Sequence, residues 1–249
     1  MKPGQLLALA LTGLSLAAGA AEISILSGGA VKSPLSEAAA RYERASGHRV
    51  AIEYQPVGVL MKQLAQGATP DLVVITEDVM ADAAAKGWLV GGTAMPLGSV
   101  GVGVAVREGA ASPDISSPDA LRKTLLDAKS ITYIDPEKGT SGKHFAGVLQ
   151  GLGIADAVRA KTRLGAAGFV VEPVARGEIE LGIQQITEIL PVKGVKLVGP
   201  LPASLQKLTT YTIARTVHGR DAEAIDRFLD YLRGAESRAL FLSRGFTAP

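Results

Sequence analysis

The segment SITYIDPEKGTSGKHFAGVLQGLG, residues 130–153, sets Gly-Thr-Ser-Gly-Lys-His between an apolar run and an amphipathic stretch. The order is strand, loop, helix, and a helix start presents unpaired N–H groups and a partial positive charge. Thr140 and Ser141 add hydroxyls, Gly142 an approachable backbone, Lys143 a full charge and His144 a titratable ring. That combination suits a carboxylate or another oxyanion; simple capping of the helix by Thr140 or Ser141 is its ordinary use. It is not a nucleotide loop. The Gly-x-x-x-x-Gly-Lys-Ser/Thr pattern needs glycine where Glu137 stands and a hydroxyl where His144 stands.

Two other loops have the same setting. Ser27, Gly28, Gly29 and Ala30 follow one apolar run, and Val57 and Gly58 follow another. Both precede a helical pattern, so three helix starts could converge on one ligand. Gln184 and Gln185 close a further strand in LGIQQITEILP, where an amide can bind ligand or cap the next helix. His48, His144 and His218 are scattered, cysteine is absent and no Gly-x-Ser-x-Gly elbow occurs. No metal site, thiolate nucleophile or hydrolase triad is therefore expected, and no cofactor.

The elements that must position these loops alternate. EISILS (22–27), HRVAIEY (48–54) and DLVVIT (71–76) are short apolar runs, each followed by a helical pattern, the first with Leu35, Ala38, Ala39 and Tyr42 on one face. Uniformly apolar strands alternating with helices predict parallel pairing with both sheet faces covered. A Gly-rich stretch at 100–106 opens a second series, and two helices near Asp221–Arg233 and Glu236–Arg244 close the chain. With 26 basic and 24 acidic residues and 4% aromatics, the chain lacks the footprint of a nucleic-acid binder. Lys2, the apolar run 6–18 and Ala18-Gly19-Ala20 read as a signal peptide over 1–21, cleaved just before Ala21 or Glu22. No later run is long enough to span a bilayer, so the mature protein is expected outside the membrane.

From about Glu22 to Thr247 the chain resembles the type II periplasmic solute-binding proteins, and within them the molybdate-binding, ModA-like receptors of ABC transporters. The resemblance lies in ILSGGAVKSPL, QLAQGATPDLVVIT, IDPEKGTSGKHFAGVLQGLG, ELGIQQITE and FLDYLRGAESRALFLSRGFT. The scaffold is also similar to that of bacterial aconitate isomerase. It implies a two-lobed α/β fold, each lobe a mostly parallel sheet flanked by helices, joined by two crossover strands. Lobe I would hold 22–96 and 207–249, and lobe II 97–206. It further implies a monomer in the periplasm, a ligand between the lobes and, for a transport protein, an ABC permease as partner.

Molybdate receptors usually carry a serine in the first loop, hydroxyls in the second and a tyrosine where Gln185 stands. This chain has Gly28-Gly29-Ala30 and Pro56-Val57-Gly58 instead, with Lys143-His144 in the third loop. A basic pair favours carboxylates. The first expectation is thus a receptor closing on a di- or tricarboxylate. The alternative is an isomerase interconverting trans- and cis-aconitate by an allylic proton shift, with Lys143 or His144 as base. A molybdate or tungstate receptor is the third.

Overall fold

The computed structural model describes residues 20–248. The signal peptide read at 1–21 lies, as far as residue 19, outside the described residues. The chain begins with β1 (Glu22–Gly28), a 3₁₀ turn (Gly29–Val31), α1 (Lys32–Ser46), β2 (Arg49–Gln55), α2 (Val57–Ala65), β3 (Leu72–Thr76), α3 (Glu77–Ala85) and β4 (Met95–Val100). Next come β5 (Val102–Arg107), α4 (Pro118–Asp127), β6 (Ile131–Ile134), α5 (Thr140–Gly151), α6 (Ala155–Arg159), β7 (Thr162–Gly165), α7 (Glu172–Ala175), β8 (Leu181–Gln185), α8 (Ile186–Ile189) and β9 (Val195–Pro200). The chain then returns through β10 (Thr209–Arg215) to α9 (Ala222–Arg233) and α10 (Ala235–Ser243).

Two five-stranded sheets result, ordered β2-β1-β3-β10-β4 and β7-β6-β8-β5-β9. In each, three strands are parallel, as their apolar runs and intervening helices require. The sheets are nevertheless mixed rather than mostly parallel. β10 runs antiparallel to β3 and β4, and β5 runs antiparallel to β8 and β9. The reason is the connection: β4 passes into β5 through Gly101 alone, and a strand entering from the other sheet has no helix to turn it around. β4 belongs to the first sheet, so the first crossing comes at Gly101 and not at residue 97. The return crossing is 201–208. Gln206 ties the two crossings together, its amide accepting from Val102 N at 2.9 Å and donating to Val102 O at 2.8 Å.

α1 buries Leu35, Ala38, Ala39 and Tyr42, spaced for one helix face, and stops at Gly47, whose φ of +76° suits a left-handed cap. Asp71, just before β3, accepts from Ser24 and from Arg220 of the closing segment. Burial alone would raise its pKa, but those donors hold the carboxyl well below the usual carboxylate range. α4 and β7 had no counterpart in the sequence reading. Ser117 caps α4, accepting from Ala120 N at 3.1 Å with Pro118 at the first helical position. β7 is a half-exposed edge strand without an apolar run to mark it.

Candidate functional site

The carboxyl ends of β1, β2, β6 and β8 all point to the seam between the sheets, where their loops enclose a cavity of about 80 Å³. A single water needs roughly 10–15 Å³ on this measure, so the space suits a handful of waters or one small ligand. Ala30 and Val57 line it from the first lobe, Thr140 and Ser141 from the second. Each belongs to the first turn of its helix or 3₁₀ turn, and none of the four backbone N–H groups finds a protein acceptor among the described residues. The helix starts thus offer donors from both lobes.

Lys32 supplies the positive charge. Its ammonium stands 5.9 Å from the Tyr54 ring centroid and 5.2 Å from that of Phe169, spanning the two lobes. Tyr54 exchanges a 2.8 Å hydrogen bond with Ser36, and its pKa is pushed up to about 12 by burial, which that bond only partly offsets. Tyr211 lies beside Gln185 and Thr140; burial first, and the neighbouring Glu188 charge second, hold its proton in place.

The cavity floor carries an unsatisfied amide and a carboxyl. Gln185 is 1% exposed, and among the described residues neither its Oε1 nor its Nε2 has a hydrogen-bond partner. Such orphaned amides are uncommon in folded proteins and suit a polar ligand. Glu188, in the only full turn of α8, reaches across to the first lobe. A Cβ on Gly29 would come within 2.7 Å of its Oε1, and one on Gly28 within 2.8 Å of the Tyr211 ring. At Gly28 the ring and the Val57 methyl at 3.3 Å leave no room for a side chain, whereas at Gly29 the end of the Glu188 chain would have to move aside. Burial pushes the Glu188 carboxyl up to about 8, with the Gln184 amide offsetting part of the effect.

Of the residues the sequence singled out, Gly29, Ala30, Val57, Thr140, Ser141 and Gln185 line the cavity. The others are elsewhere. Ser27 is buried and its hydroxyl turns to Gly28 O. Gly58 donates to Lys138 O at 3.0 Å across the lobe seam, and Gly142 packs so tightly on β6 that a Cβ would overlap the Ile134 carbonyl. Gln184 donates to Gly168 O at 2.8 Å. Lys143 is exposed in an outer groove beside Met61 and Asp78, and His144 Nε2–H donates to Leu205 O at 2.8 Å, on the return crossing. With Gly142 facing β6, a helix turning about 100° per residue carries the basic pair away from the cleft. Lys32, Tyr54, Phe169, Glu188 and Tyr211 were not read from the sequence. Lys32 stood two residues past the loop that was, and Glu188 three past Gln185.

The family model for bacterial extracellular solute-binding proteins matches residues 23–247. An aconitate isomerase from a Pseudomonas species is 32% identical over 237 residues, 93% of this chain and 89% of that protein. The molybdate-binding protein ModA of Escherichia coli (strain K12) is 26% identical over 249 residues, 98% of this chain and 95% of its own. The periplasmic molybdate-binding protein of Azotobacter vinelandii superposes with a TM-score of 0.76 at 18% identity, over 91% of this chain and 99% of that one. The two-lobed architecture is thus that of the ModA-type periplasmic binding proteins, and the chain belongs to the bacterial extracellular solute-binding protein family.

Proposed function

We propose that the cleft closes on a small organic anion with several carboxylates and that the protein isomerises it, interconverting trans- and cis-aconitate by an allylic proton shift. The observation that carries the ligand class is the buried, unpartnered Gln185 amide set among helix-start N–H donors from both lobes. Neutral donors of this kind hold carboxylate oxygens without a full counter-charge. Lys32, at the opposite wall, supplies one cation for a second carboxylate. The reaction class is supported by the 32% identity to an aconitate isomerase along nearly the full length of both chains. Lobe closure would exclude water from the acidic C–H bond and strengthen every charge interaction around it. The family's extracellular character supports action in the periplasm after removal of a signal peptide.

The test is to incubate purified protein with trans-aconitate and follow cis-aconitate by chromatography, alongside melting curves with aconitate, citrate and molybdate. Formation of the cis isomer, with stabilisation by aconitate and none by molybdate, is expected. Tight binding without conversion would make the protein a tricarboxylate receptor serving a permease. Stabilisation by molybdate alone would overturn both the ligand and the reaction.

A further inference from the structure

We propose that Glu188 is the catalytic residue of the cleft: its carboxylate removes a proton from the CH₂ group beside one substrate carboxylate and returns it to the far carbon of the same three-carbon system. The inference rests on the isomerase reading above. In the step, the C–H bond breaks and its electron pair forms the new C=C bond. The old π pair moves to the far carbon, which takes the proton from Glu188 to make the new C–H bond. Nothing is oxidised or reduced and no co-reactant is consumed.

Geometry singles Glu188 out. Its side chain starts on the second lobe and ends against Gly29 of the first, so it meets a ligand held between them. It makes no ion pair among the described residues, and the Gln184 side chain beside it is what partly steadies its charge, which leaves an oxygen available to a C–H group. The titratable groups facing it are Lys32 from α1, Tyr54 from β2 and Tyr211 from β10. Both tyrosines keep their protons well beyond neutral pH, and Lys32 is placed to neutralise charge on the substrate. Unlike the two tyrosines, Glu188 changes protonation near neutrality. A base poised there is strong enough to take an activated proton and can still give it back. The Gln184 side chain lies beside it and favours the ionised form, offsetting part of what burial does.

Glu188→Gln keeps the shape and the amide-lined floor. It is expected to cut turnover of trans-aconitate by about 10²- to 10⁴-fold, while calorimetric binding of aconitate stays within a few-fold of wild type. Glu188→Asp, which withdraws the acid by one methylene, keeps the fold by a separate route and should lose about 10²-fold. A base acts only when ionised, so wild-type kcat/KM should climb with pH and level off above about 8. Residual activity of Glu188→Gln should lack that rise. Turnover by Glu188→Gln within threefold of an active wild type would overturn the assignment and leave the isomerase reading standing. An inactive wild type that still binds aconitate would overturn both.

Discussion

Lys32 and Lys143 carry the same charge and sit on opposite sides of the lobe seam. Lys32 lines the cavity between two aromatic rings; Lys143 is exposed in the outer groove beside Asp78. A charge-assisted contact to a carboxylate contributes roughly 1.5–3 kcal/mol when water is excluded, and much less at an open surface. Lys32→Ala should therefore weaken aconitate binding by about 10- to 150-fold, since 1.4 kcal/mol is tenfold. Lys143→Ala should leave it within about twofold. Titration calorimetry on the two variants decides the matter, and the reverse outcome would return the cleft cation to the start of α5. The difference was not visible in the sequence. GTSGKH announces its charge beside glycines, whereas Lys32 follows GGAV as an ordinary first-turn residue. Glu188 is equally unmarked, because an acidic residue in the first turn of a helix is what the helix dipole favours anyway.

At the scale of elements, periodicity and turn chemistry were legible where burial was complete. β1, β3 and β8 read as strands because both faces are covered, and α1 as a helix from its single apolar stripe. The start of α5 was legible too, but its rotation was not: the contact of Gly142 with Ile134 sets that phase, and the contact is tertiary. The same distinction separates Gly58 from Ala30. Both open helices after parallel strands, yet Gly58 spends its N–H on Lys138 O across the seam. A Cβ there would lie 2.9 Å from that oxygen, and a branched side chain has no room between the lobes. Gly58→Val should hold the seam apart, lowering aconitate affinity by at least about tenfold through a smaller closed population. Its ligand-free melting temperature should change little, as no core residue is lost. Unaltered affinity in this variant would show that closure does not depend on α2 meeting the loop before α5.

For the whole molecule, the two lobes keep separate hydrophobic cores. One gathers around Leu72, Ile75 and Phe228, the other around Leu121, Ile131 and Phe145, and a smaller cluster with Val171 and Ile189 lies beneath α7 and α8. Ile186 of α8 packs onto the first core, and Gln206 fastens the crossings, but among the described residues no buried cluster spans the seam. Cooperativity between the lobes then depends largely on what occupies the cleft, as in other chains built from more than one core. Trp88, the single tryptophan, packs against the first core, so its fluorescence follows that lobe, while far-ultraviolet dichroism follows both. Without ligand the two signals should give separate melting midpoints. On the proposed function, aconitate at 100 times its Kd should add about 2.7 kcal/mol to the closed state, equivalent to roughly 5–10 °C for a chain of this size. Because the ligand touches both lobes, neither can unfold without releasing it, and the midpoints should merge as they rise. Coincident midpoints in the ligand-free protein would mean that the crossings and Ile186 already join the lobes into one cooperative unit, and that the ligand adds stability without adding cooperativity.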